Sequence, residues 1–126
     1  MLALDWRKAF DSVNVDALII ALRRFGFPPK LLRIISHIYA ERFFAVRDGD
    51  NRSSTRQQRS GISQGCPLSP FLFVVLMSVV MHDTVHGMSE PAQTAFNTGS
   101  LGSVLYADDT LLVGTSEAHV QEFLVS

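Results

Sequence analysis

Three aspartates carry the most chemistry in this chain. Asp108 and Asp109 stand side by side between two apolar, β-rich runs, residues 103–106 and 111–113. Asp5 closes another apolar run, residues 2–4. The pattern predicts a hairpin with the Asp pair at its tip, and a separate strand end that can bring a third carboxylate alongside. Asp is also a good turn former, so a lone Asp-Asp in a hairpin reads first as turn chemistry. Here the flanking strands are too apolar for a surface ribbon, and the third acid is at hand. Clustered carboxylates repel one another and are costly to desolvate, so a chain that gathers them usually does so around a cation. An all-oxygen ligand set favours Mg²⁺. Two such ions ~3.5–4 Å apart can clamp the attacking and leaving oxygens of an in-line phosphoryl displacement. That reaction needs mostly positioning and charge neutralisation.

The elements that must position these acids are legible in the periodicity. Asn14 reads as an N-cap, with Val15, Leu18, Ile19 and Leu22 on one face of a helix that stops at Gly26. Pro28 and Pro29 open a second helix whose broad apolar face holds Leu31, Leu32, Ile34, Ile35, Ile38 and Tyr39. Residues 43–47 and 55–59 read as a hairpin about the turn cluster 48–51. A loop over 61–70 leads into a strongly apolar helix over 71–85, expected to be buried on most sides. Residues 87–100 read as loop, with a short strand near Ala95 and Phe96. Ser116 caps a last helix. The expected class is α+β, a small antiparallel sheet with helices on one face.

Composition narrows the rest. The chain is 47% hydrophobic and 18% charged, so it is not disordered by composition. Cys66 stands alone, which excludes an internal disulfide and a cysteine-built zinc site and fits a reducing compartment, nucleus or cytoplasm. The start, MLALDWRKAF, lacks a signal peptide's basic and apolar regions. The apolar run 71–81 is too short to span a bilayer, so no membrane is expected. Charge is divided: residues 1–59 hold all 11 Lys and Arg with six acids, whereas only six acids follow Ser60. Such asymmetry fits a nucleic-acid-facing half and a metal-facing half, or simply clustered solvated charge.

Three segments, LALDWRKAFDSV, GISQGCPLSPFLF and LYADDTLLVG, in this order, resemble motifs A, B and C of the reverse transcriptases. The wording AFD and GCPLSP is similar to that of non-LTR (LINE-type) retrotransposons, and the likeness covers nearly the whole chain. It implies a polymerase palm in which Asp5 and Asp108 are the principal ligands of two Mg²⁺ (Mn²⁺ as a substitute) and Asp109 completes the triad. It implies further that Phe10 is a steric gate against a 2′-hydroxyl, and that Gln64 and Gly65 lie against the incoming nucleotide and templating base. Ser69 and Pro70 would start the motif B helix, and Tyr106 would lean toward the primer end. Asp11 belongs to the motif wording but is expected to cap the following helix. Arg7 and Lys8 read as a solvated pair, near enough in sequence to contact triphosphate. Arg42, Arg47, Arg52, Arg56 and Arg59 are placed to track a template or primer backbone.

Ser63 stands where many of the family have Pro. On this reading residues 1–126 are a partial palm with motifs A, B and C, without fingers, thumb or endonuclease. In a full-length relative the partners would be an RNA template, a DNA primer and deoxynucleoside triphosphates; no protein partner is implied. The expected activity is RNA-directed DNA polymerisation, slight or absent in these residues alone because substrate placement supplies much of the rate. The alternative is a non-catalytic retrotransposon relic that at most binds nucleic acid. The apolar 71–81 segment also predicts exposed hydrophobic surface.

Overall fold

A computed structural model describes all 126 residues. Strand β1 (Leu2–Asp5) leads through a single helical turn, α1 (Ala9–Ser12), into α2 (Val15–Phe25) and α3 (Pro29–Ala40). Asn14 caps α2 as its sequence predicts, its side chain accepting from the Ala17 amide at 3.0 Å. Gly26 ends it in the left-handed conformation. Leu18 and Leu22 of α2 and Leu32, Ile35 and Tyr39 of α3 are buried. Leu31, Ile34 and Ile38 remain exposed, so only half of the expected apolar face of α3 is used.

The expected hairpin over 43–59 is present but split. Strand β2 (Arg42–Phe44) pairs with β5 (Arg56–Gln58), and β3 (Arg47–Asp48) pairs with β4 (Asn51–Arg52). Two residues separate β2 from β3, whereas three separate β4 from β5. One extra residue on a single strand interrupts a ladder as a bulge does.

Helix α4 (Ser69–Gly87) is longer than its apolar run, and it is not buried on most sides. Leu72, Phe73, Met77 and Met81 enter the core, whereas Phe71 and Val74 are 72% and 57% exposed. It is the one helix long and apolar enough to cross a membrane by length and composition. Here it packs against α2 and against α5 (Glu90–Asn97). Helix α5 replaces the loop and short strand expected for this region, and it buries Ala92 and Ala95. The chain closes with β6 (Leu101–Tyr106), β7 (Asp109–Gly114) and α6 (Glu117–Val125). Ser116 stands at the α6 N-cap, though its hydroxyl makes no cap bond.

The main sheet has the order β1-β7-β6, antiparallel throughout. Cross-strand partners share a face. Leu2, Leu4, Thr110, Leu112 and Leu101 point toward the helices, with Thr110, Leu112 and Leu101 fully buried. Asp5, Asp109, Tyr106, Val104 and Val113 lie on the opposite, exposed face. The architecture is therefore α+β, with helices packed on one face of a small antiparallel sheet.

Candidate active site

The register settles where two of the three acids meet. Asp5, the last residue of β1, stands directly opposite Asp109, the first residue of β7, and Asp109 is in turn opposite Tyr106. Asp108 occupies the two-residue turn with Ala107, and its carbonyl accepts from the Trp6 amide at 3.4 Å. The Trp6 indole Nε1–H donates to the buried Thr110 hydroxyl at 2.9 Å. Trp6 therefore ties the end of β1 to β7 one residue from the acid pair. Sequence reading overlooked it, since an indole beside an aspartate has no periodic signature.

No hydrogen bond or ion pair engages the carboxylate of Asp5, Asp108 or Asp109. Like charges placed opposite one another across strands are destabilising, and nothing in the chain offsets them here. An all-oxygen set at one end of a sheet suits a hard divalent cation. The side chains are not drawn together, however: no three His, Cys, Asp or Glu side chains converge on a common point. The backbone thus supplies the register, and exposed Asp rotamers would have to close to form a ligand cage.

Two backbone outliers flank the acids. Lys8 and Ala107 are the chain's only non-glycine residues with positive φ, each at 52°. Lys8 turns the chain from β1 into α1. Ala107 precedes Asp108, and positive φ at the first of two turn residues is normally glycine's role. Left-handed backbone costs an L-residue roughly 1–2 kcal/mol, and such strain gathers at functional sites.

The motif B loop is held against α1 by backbone and side chain together. The Gly61 amide donates to the Val13 carbonyl and the Ile62 amide to the Phe10 carbonyl, both at 2.8 Å. Gly61 (φ 84°) lies so close that an added Cβ would stand 2.9 Å from the Asp11 Cα. Gly65 (φ 81°), expected beside the incoming nucleotide, faces open space. Gln64 donates to the Asp11 carboxylate at 3.3 Å. Asp11 therefore does not cap the next helix, a role that Asn14 already fills.

Phe10 is half-buried and stacks on Phe73 of α4, centroids 4.6 Å apart. Its ring is part of the core packing, and it lies on the segment that leaves the Asp5 strand. Tyr106 is 81% exposed on the face shared by Asp5 and Asp109.

The arginines divide into two groups. Arg42 does not track a backbone. Its guanidinium donates to the Gly61 carbonyl at 2.6 Å and to the Ser63 hydroxyl at 3.3 Å, and it lies 4.5 Å over the Tyr39 ring. Tyr39 in turn shares a hydrogen bond with Ser69 at the start of α4. Arg42 thus braces the motif B loop, a role no local pattern announces because its partners lie about twenty residues away. Arg47, Arg52, Arg56 and Arg59 are exposed and lack acidic partners, and Arg47 stands directly opposite Arg52.

At the same end of α4, just before its first residue, backbone amides of Leu68 and Ser69 hold the Cys66 thiol below its usual range. It belongs to no cluster of three or more His, Cys, Asp or Glu side chains.

Comparison with known proteins now bears on this arrangement. The family model described as reverse transcriptase (RNA-dependent DNA polymerase) matches residues 1–126. The chain is 28% identical over 126 residues to the retrovirus-related Pol polyprotein from type-1 retrotransposable element R2 of Popillia japonica, covering all of this chain and 20% of that protein. It is 30% identical over 123 residues to the R2 polyprotein of Nasonia vitripennis, covering 96% of this chain and 11% of the relative. It is also 30% identical over 122 residues to the RNA-directed DNA polymerase from mobile element jockey of Drosophila melanogaster, covering 96% and 13%. The chain thus spans a fifth or less of the length of these relatives. With the motif segments in order, and with Asp5 and Asp109 opposed across adjacent strands, the chain belongs to the reverse transcriptase family, and its relatives include the non-LTR retrotransposon polymerases.

Proposed function

We propose that this chain is the catalytic palm segment of an RNA-directed DNA polymerase that adds deoxynucleotides to a primer 3′-hydroxyl on an RNA template. The observation that carries this reading is the direct pairing of Asp5 with Asp109 on the helix-free face of the sheet. Asp5, Asp108 and Asp109 would hold two Mg²⁺ ions, Mn²⁺ substituting. When bound, these ions would favour the deprotonated primer hydroxyl and offset the charge on the departing pyrophosphate.

The remaining roles belong to the chain itself. Tyr106, exposed beside Asp109, would orient the primer end. Phe10, its ring fixed by Phe73, would fill the space a 2′-hydroxyl needs. Gln64 and Gly65 would line the nucleotide's other side on a loop braced by Arg42. Arg47 and Arg52 present like charges across a ladder, which is unfavourable unless an anion lies near. Phosphates of a template or primer suit them, with Arg56 and Arg59 alongside.

Calorimetric titration of the chain with Mg²⁺ or Mn²⁺, in parallel with Asp108→Ala, tests the acid site. Binding is expected in the wild type and lost in the variant. Equal behaviour of the two proteins would remove the site from this chain. Primer extension by the chain alone is expected to be slight, since few groups here can grip both strands. Vigorous extension that Asp108→Ala abolishes would contradict that expectation. RNA binding that weakens steeply with salt yet ignores Mg²⁺ would instead support a nucleic-acid-binding relic.

A further inference from the structure

Away from the acidic face, the last turns of α4 carry the chain's one pair of histidines four residues apart, His82 and His86. That spacing puts both rings on one side of the helix. The imidazoles are exposed and stack with centroids 4.0 Å apart and planes 24° from parallel.

The contacts of each ring bear on which nitrogen is free. His86 Nδ1 lies 2.8 Å from the His82 carbonyl oxygen. A carbonyl only accepts, so this nitrogen carries the proton. His82 Nδ1 lies 3.5 Å from the Asp83 carboxylate, an ion-pair contact that favours the proton on that nitrogen. Asp83 is itself held by the Arg24 guanidinium, which donates at 2.6 Å from α2. When neutral, each ring so arranged leaves its Nε2 lone pair available, and nothing in the protein engages it. Metal-binding histidines commonly show this pattern, with the second ring nitrogen donating to a carbonyl or carboxylate that fixes the tautomer and raises basicity.

We propose that His82 and His86 form a surface chelate for a divalent transition ion that prefers imidazole, with Zn²⁺ and Cu²⁺ the ions of that class best suited. Two histidines at this helical spacing can share one ion through bonds of ~2.0–2.1 Å. The rings are exposed, so their side chains are free to turn the two Nε2 atoms toward one point. No third His, Cys, Asp or Glu side chain converges there, so water completes the coordination and the site stays open. The facing charges are Asp83 and Arg24, which pair with each other, so the ion meets little net repulsion. Ligand hardness separates this site from the carboxylates: Mg²⁺ prefers oxygen. The proposal does not depend on the polymerase reading.

The test is a Zn²⁺ titration of the whole chain in excess Mg²⁺, followed by calorimetry. His82→Gln and His86→Gln are each expected to weaken binding about tenfold or more, because a chelate becomes a single ligand. His37→Gln is expected to leave it unchanged. Cu²⁺ bound to the wild type should show electron-spin coupling to two ring nitrogens. Equal Zn²⁺ affinity in the wild type and both Gln variants would overturn the proposal, as would coupling to no nitrogen or only one. Metal-free melting of the Gln variants at the wild-type temperature keeps a folding defect from being mistaken for ligand loss.

Discussion

At the scale of single residues, the strain beside the acids is the most informative feature. Ala107 adopts a backbone conformation that glycine reaches without a Cβ penalty. Ala107→Gly should therefore stabilise the chain by about 0.5–1 kcal/mol, the relieved strain less the added flexibility of the unfolded chain. Thermal melting would show this as a rise of roughly 2–4 °C. Gly61→Ala should do the reverse. Its new Cβ would meet Asp11 backbone at a φ that alanine resists, a loss on the order of 2 kcal/mol or more. Denaturant midpoints of the two variants should therefore move in opposite directions. The aspartates and the motif segments were legible in sequence because residue type and local order carry that chemistry. Trp6 and the bracing role of Arg42 were not, because each depends on a partner that only folding brings near: Thr110 for one, Gly61 and Ser63 for the other.

At the scale of elements, the well-read helices are those whose signals are local. Asn14 and Gly26 bracket α2, and paired prolines open α3. Helix α5 escaped because it has only eight residues, its buried anchors are two small alanines, and its N-terminal Ser89 is engaged from a distance. There, Glu122 of α6 takes the Ser89 amide and hydroxyl, a tertiary contact that local pattern does not show. The split of the arginine hairpin depends on one extra residue in one arm, which alternation alone cannot locate. Helices α2 and α4 are also joined by Arg24 and Asp83, whose two hydrogen bonds hold the Asp83 carboxyl down at about 2, below its usual 3.8. A depressed carboxylate stabilises the fold above its unfolded value and stops doing so as pH falls through the folded one. Asp83→Asn should thus melt slightly below the wild type near neutral pH. The gap should close as pH drops from about 3.8 to about 2, and it should narrow in high salt because the pair is exposed.

At the scale of the whole molecule, two apolar surfaces lie open. One is the outer face of the sheet beyond the acids, with Val104 and Val113; the other is the outward side of α4. The double substitution Phe71→Ser and Val74→Thr should raise the concentration at which light scattering reports association, without altering the far-ultraviolet spectrum. The sheet order has a different consequence, one of timing. Strand β1 is hydrogen-bonded only to β7, and Trp6 finds Thr110 across 104 positions of sequence. Contacts so remote require a long loop to be closed first, and they slow folding. The helical pair α2 and α3 can form early from neighbouring residues, whereas the Asp5 and Asp109 pairing must wait for nearly the whole chain. A nascent or partly unfolded chain would then hold these acids apart, and their juxtaposition would be among the last features the molecule gains and the first it loses.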